Sequence, residues 1–198
     1  MNNIEVIMNI CDRRSAIKFY DSPVPDEIQD NLFEFLSSVP DHKSLRPWRF
    51  VVIDVSSYDD ICARYRKLAG IQCDLPSISI DMLNRKLRRS PLIVIAILSP
   101  DMNKKVSYQD QIISAGIAAY TVSISAMTLG LGCFWSTGIL TKSKILKNII
   151  NLDSGEEIIG FLNIGFPMLL SERDRNIKIN DFVEYFSLTT ESCYGEEI

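Results

Sequence analysis

Between residues 111 and 141 the chain carries not one charged side chain. A segment of that length is either a membrane span or an element covered on most of its sides. Its composition favours cover by protein. Ser114, Thr121, Ser123, Ser125, Thr128, Ser136 and Thr137 spread hydroxyls along it, and Gly130, Gly132 and Gly138 break its second half. What remains continuous is a helix of roughly twenty residues with moderate hydropathy. A helix apolar all round needs cover all round. One small domain supplies that poorly, and a second copy of the chain supplies it well.

The rest of the composition narrows the classes. At 198 residues and 46% hydrophobic content, the chain is expected to form a single domain over 1–198. A formal charge of -4 and a pI near 5.1 offer no positive field for nucleic acid or an anionic membrane, so neither is an expected partner. Cys11, Cys62, Cys73, Cys133 and Cys193 are odd in number, widely spaced and without a CxxC, which argues against a disulfide framework and a zinc site. Glu5, Asp12, Arg13 and Arg14 fall in an amphipathic start unlike a signal peptide. The expected location is a reducing cytoplasm.

Apolar spacing orders the elements. Ile4, Ile7, Met8 and Cys11 predict a helix that stops at Asp12, and Pro25 with Asp26 and Glu27 opens a second, carried by Ile28, Leu32, Phe35 and Leu36 up to Pro40. A strand is expected over 48–55, then a helix over 57–68 with a capping box of Ser57 and Asp60, a loop over 70–79 and a short basic helix over 81–89. The run 92–98, wholly apolar between Pro91 and Pro100, reads as a central strand. The uncharged helix follows, then a strand over 133–136, a helix over 143–151, an apolar strand over 158–164 and a polar, irregular tail after Ser171. Strands alternate with helices without an internal repeat, which gives a mixed α+β class.

Several chemistries drop out. There is no GxSxG elbow or Walker loop, and a single histidine, His42, excludes HExxH and any two-histidine metal set. Gly130 and Gly132 begin a GxG, but Trp135 stands in the third glycine's place, so a nicotinamide would not sit in a Rossmann pocket. Three polar clusters remain. Pro40, Asp41, His42, Lys43, Ser44, Leu45, Arg46, Pro47 and Trp48 form a polar turn feeding a strand, a frame for rigid donors or an ordinary surface turn. Arg13, Arg14 and Ser15 offer two guanidinium forks and a hydroxyl, a phosphate cradle or a solvated basic turn. Trp135, Ser136, Thr137 and Gly138 end a strand with one large aromatic, which flanks a flat heterocycle or packs in the core. Arg85, Lys86, Arg88 and Arg89 read as a solvated face.

In this order and spacing, RRS, PDHKS followed by PW, SAG leading into an uncharged helix that ends GLGCFWSTG, and IIGFLNIGFP resemble the FMN-dependent nitroreductase family, and within it a compact bacterial subfamily. The resemblance covers about residues 7–167. It implies a nitroreductase-like fold, with a central mixed, mainly antiparallel sheet flanked by helices, in an intertwined homodimer with two FMN sites at the interface. Carried over by position, Arg13, Arg14, Ser15, Lys18, Ser38, Trp135, Ser136 and Thr137 would hold FMN, and His42 would reach the flavin of the opposite subunit. The segment Ser125, Ala126, Met127, Thr128, Leu129 and Gly130 matches the part associated with NADH or NADPH.

The chain also departs from the pattern. Ile17 stands where many members have an arginine, with Lys18 one place on, and Ser38 and Ser136 replace subfamily arginines. Each lost charge-assisted hydrogen bond costs roughly 1.5–3 kcal/mol. FMN binding is expected to be weaker unless Lys18, Lys43, Arg173 or Arg175 makes up the charge. The implied activity is ping-pong hydride transfer from NAD(P)H through FMN to a small electron-poor acceptor such as a nitroaromatic or quinone, with no metal and no acid or base side chain. Two other readings stay open: a specialised FMN-dependent oxidation in biosynthesis, and a flavin-binding homologue without turnover. The tail over 181–198 has no implied role.

Overall fold

A computed structural model describes residues 10–71, 80–102, 105–172 and 178–186. The elements run β1 (Ala16–Phe19), α1 (Asp26–Asn31), β2 (Trp48–Asp54), α2 (Tyr58–Ile71), α3 (Ile80–Leu87), β3 (Leu92–Leu98), α4 (Tyr108–Thr128), β4 (Gly132–Ser136), α5 (Lys144–Ile149), β5 (Glu157–Gly165) and β6 (Pro167–Leu170). Strands β2, β3, β5 and β4, in that order, form an antiparallel sheet, and β1 pairs with β6 in a separate antiparallel ribbon. The class is the expected mixed α+β one. A single bridge from Ser15 to Cys133 is the parallel element among the described residues.

Strand β3 is central because every one of its seven side chains is buried. A strand covered on both faces reads as an unbroken apolar run. Its odd residues Ile93, Ile95 and Ile97 pack with Tyr58, Tyr65, Leu83, Leu87 and Leu146 from α2, α3 and α5. Its even residues Leu92 and Val94 pack with Leu162, Ile164, Leu32 and, from α4, Val122 and Ala126. The period of two along the strand thus builds two core layers, one on each face.

Helix α4 is long and apolar enough to cross a membrane by length and composition, and it lies on the sheet instead, half of its apolar window buried there. The buried positions Gln111, Ser114, Ala115, Ala118, Ala119, Val122, Ser125 and Ala126 fall at helical spacing on one face. They are mostly small, which lets the helix approach the strands closely. Its large residues Ile112, Ile113 and Tyr120 point outward and are exposed.

Local physics explains where the elements differ from expectation. The single helix expected from Pro25 to Pro40 is α1 followed by a separate 3-10 segment, Glu34–Ser38. The tighter turn places Phe33, Leu36 and Val39 in an i, i+3 row that a 3.6-residue period would splay. The capping box of Ser57 and Asp60 does not form. Asp54 does the capping, its Oδ1 accepting from the backbone N–H of Ser56 at 2.8 Å and of Ser57 at 3.3 Å. Gly70 and Ile71 belong to α2, which outlasts its expected end, and the remainder of the expected 70–79 loop lies outside the described residues. Ile10 and Cys11 close the first helix, whose earlier residues Ile4, Ile7 and Met8 also lie outside them, as do Arg173, Arg175 and residues 187–198.

Candidate functional site

The basic turn is fastened to the sheet. Arg13 and Arg14 precede β1, and the bridge from Ser15 to Cys133 lays that start beside β4. The approach depends on a glycine: a Cβ on Gly132 would sit 2.6 Å from Ala16 Cβ and 2.9 Å from Pro167 Cβ. Trp135 lies two residues beyond Cys133, about 7 Å along the strand. The bridge thus sets Ser15 beside β4, the strand that carries Trp135 and Ser136 and leads into Thr137. The Cys133 thiol at the bridge is buried and pushed up to about 11 by that burial, against the opposing pull of a Ser123 hydrogen bond and the Arg13 charge. It is a packing residue with no thiolate character near neutral pH.

Trp135 is 37% exposed, and its indole lies across Gly160 of β5, where any Cβ would collide with Nε1. Ser136 points to the opposite face of the sheet. Its Oγ donates to Phe161 O at 3.3 Å and accepts from Asn163 Nδ2 at 3.0 Å and from Lys86 Nζ. Gly138, at φ 110°, follows Thr137 and turns the chain in a region where a side chain is strained.

That contact corrects the reading of the basic cluster on α3. Arg85 is exposed and Arg88 pairs with Asp59 at 2.5 Å, but Lys86 and Arg89 turn inward. Lys86 Nζ is 4.6 Å from the Phe161 ring centroid, and the Arg89 guanidinium is 3.7 Å from that of Phe134. Burial, and then the neighbouring Arg89 charge, push Lys86 down to about 8. Its position three residues after Leu83 is the signal that places it on the buried face.

The remaining predicted residues lie elsewhere. Lys18 stands exposed in β1 opposite Leu169. Ser38 lines a cavity of about 250 Å³ with Ile10, Phe35, Tyr120, Ser125 and Thr128, so Ser38 shares a space with the segment assigned to NAD(P)H. Within that segment Ala126 is spent on the core, Ser125 Oγ donates to Thr121 O at 3.0 Å, and Gly130 at φ 77° ends α4 while Met127 and Leu129 stay half-buried.

His42 Nδ1 lies 3.6 Å from Asp110 Oδ2 at the start of α4. Thirteen residues of helix separate Asp110 from Ser123, which bonds Cys133. That is about 20 Å of rise. His42 is therefore not joined to Arg13 and Trp135 within one chain. Its turn is built rigidly: Lys43, Ser44 and Arg46 all have positive φ, and Asp41 Oδ2 accepts the Arg46 N–H at 2.5 Å. Such backbone persists only where its surroundings over-determine it.

Comparison with known proteins settles the kinship. The Nitroreductase family model matches residues 10–166. The chain belongs to the nitroreductase family. This nitroreductase-family chain is 30% identical over 187 residues to "Putative NAD(P)H nitroreductase YdjA" of Escherichia coli (strain K12), covering 94% of its own length and all of that protein. Its fold is also that of a nitroreductase-like family protein from Bacillus cereus, with a TM-score of 0.77, 18% identity and coverage of 94% and 98% of the two chains. A nitroreductase-type chain from Desulfovibrio desulfuricans, solved in complex with FMN, aligns with a TM-score of 0.71, 21% identity and coverage of 95% and 99%. The expected family and nitroreductase-like fold are therefore the observed ones.

Proposed function

We propose that this nitroreductase-family oxidoreductase is an FMN-dependent NAD(P)H reductase of electron-poor acceptors, nitroaromatics or quinones, working as a cytoplasmic homodimer. The observation that supports the reading is the bridge from Ser15 to Cys133, which joins the segment of Arg13, Arg14 and Ser15 to the strand that carries the exposed Trp135. That donor set fits FMN. Arg13, Arg14 and Ser15 match a phosphate, Trp135 matches the face of a flat heterocycle, and Thr137 matches its polar edge, the Ser136 hydroxyl being engaged with Phe161, Asn163 and Lys86 on the other face of the sheet. FMN, when bound, supplies the two-electron carrier between NAD(P)H and the acceptor in two separate half-reactions.

The chain's own residues bind, orient and cover. Asp41 holds the turn that carries His42, and Asp110 stands beside the imidazole. A histidine some 20 Å of helix away from its own cluster serves a site on a second copy. The outward Ile112, Ile113 and Tyr120 of α4 support the same dimer, because large apolar residues left outside small buried ones call for a partner surface. The cavity shared by Ser38, Ser125 and Thr128 supports NAD(P)H or acceptor entry beside the flavin.

The test is an absorption spectrum of the purified protein after FMN loading and desalting, followed by anaerobic NADH or NADPH. Retained flavin that bleaches is the expected result. Retention without bleaching would replace the reductase with the specialised oxidase or the inactive binder, and loss of the flavin on desalting would overturn the cofactor assignment.

A further inference from the structure

A cavity of about 450 Å³ opens between the Glu34–Ser38 segment and the turn that leads into β2. Neither the Arg13 turn nor the Trp135 strand contributes to its walls. Its size falls within the roughly 300–1,000 Å³ common to small-molecule sites.

Two kinds of surface meet there. Phe33 and Trp48 supply aromatic faces, the Phe33 ring held against Phe50 with centroids 5.6 Å apart and Trp48 fixed opposite Leu98 as the first residue of β2. Glu34 and Arg46 supply opposite charges. Among the described residues they do not pair with each other, and neither side chain has another ion-pair partner. Exposed charges without partners are ordinary on a surface, and the backbone is what sets these apart. Lys43, Ser44 and Arg46, at φ 61°, 52° and 52°, are three of the four described non-glycine residues with positive φ, and Ser44 and Arg46 both line the cavity. Asp41, a third member of the wall, commits its Oδ2 to the Arg46 N–H. A strained turn that faces a cavity is held for the side chains it aims there.

We infer that the cavity binds a small aromatic zwitterion, an α-amino acid with an aromatic side chain, whose ring lies against Phe33 and Trp48 and whose carboxylate and ammonium meet Arg46 and Glu34. The two charges select the class. A carboxylate alone is attracted by Arg46 and opposed by Glu34, and an amine alone meets the reverse. An ammonium and a carboxylate on one carbon bridge two side chains that share a cavity without reaching each other. The guanidinium takes the carboxylate in parallel hydrogen bonds, Ser44 adds a hydroxyl, and offset or edge-to-face contact with the two rings fixes the aromatic end. Binding here requires no flavin, so the inference goes beyond the reading above and does not rest on it.

The test is isothermal titration calorimetry of the full-length protein with L-phenylalanine, phenethylamine and 3-phenylpropionate, the last two lacking the carboxylate and the ammonium in turn. L-Phenylalanine is expected to bind one site per chain, and each analogue on the order of tenfold more weakly. Arg46→Gln is expected to cost L-phenylalanine a similar factor and leave phenethylamine no weaker, and Glu34→Gln to cost it likewise and leave 3-phenylpropionate no weaker. Loss of folding cannot produce that crossed pattern, and the ranking of the three probes on the wild-type chain decides the matter where a variant fails to fold. No binding of L-phenylalanine, equal affinity for all three probes, or unchanged L-phenylalanine affinity in both variants would overturn the inference. Retention or loss of FMN by the same protein bears on the reductase reading alone.

Discussion

Gly160 and Trp135 show how much of the site is decided by single atoms. The indole occupies the volume a β-carbon would take, so Gly160→Ala must push Trp135 off β5. The expected outcome is a loss of about 1–3 kcal/mol in stability together with weaker FMN binding, read by urea unfolding and by tryptophan emission; an unchanged emission maximum with native stability would refute it. The same scale explains what sequence could and could not reveal. Arg13, Arg14, Ser15 and Trp135 stood out as guanidinium, hydroxyl and indole groups at the ends of apolar elements, each with a bland reading beside the functional one, and only the family resemblance joined them as one site. Lys86 did not stand out, since a lysine among Arg85, Arg88 and Arg89 has the composition of a solvated face. Only the packing of Leu83 and Leu87 against the sheet rotates it inward.

At the scale of elements, β2 and the turn before β5 are tied across the end of the central strand by Arg49 and Glu156, with Nε donating to Oε1 at 2.9 Å and Nη2 to Oε2 at 2.5 Å. The Arg49 hydrogen bond holds the Glu156 carboxyl down to about 2, from an ordinary value near 4.5. A depressed acid stabilises the fold above its unfolded value and loses that contribution as pH falls through its folded one. Stability should therefore be steady above about pH 4.5 and decline toward pH 2. The Glu156 side chain is 6% exposed but Arg49 is 37% exposed, so the screened contribution is about 1–2 kcal/mol. Glu156→Gln is expected to lose that amount at neutral pH and to flatten the acid limb in urea titrations between pH 2 and 6. A parallel downward shift at every pH would exclude the linkage. The ribbon of β1 and β6 is the element hardest to read in advance: four-residue strands whose two middle residues are both exposed lack a period of two, and each exists because the other pairs with it.

In the homodimer proposed above, α4 supplies the interface. Its outward Ile113 and Tyr120 are 52% and 42% exposed in the single chain, an arrangement stable in water when a second surface covers it. Ile113→Glu is expected to give a monomer in sedimentation velocity and to lower FMN affinity with it, whereas a dimer that persists would place the interface elsewhere. His42→Ala is expected to weaken FMN binding several-fold while the dimer remains, by equilibrium dialysis alongside sedimentation. Unchanged affinity would return His42 to a surface role beside Asp110.

What the sequence by itself determined was the alternation of elements, the central strand, the helix without charges and the order of the motifs, all of which rest on local periodicity and residue chemistry. The mixed α+β class follows from those, whereas the family rests on the resemblance of the motifs and on the family match over residues 10–166. The tertiary structure alone decided which motifs meet: β1 and β4 are more than a hundred residues apart and touch through Ser15 and Cys133, while His42 and Ser125, both site candidates, stand toward opposite ends of α4. It also decided which charges are solvated, because the direction of a side chain on a short helix depends on the surface beneath it. Sequence spacing constrains neighbours three and four residues away, and a binding site is made of residues that only a packed sheet and its helices bring together.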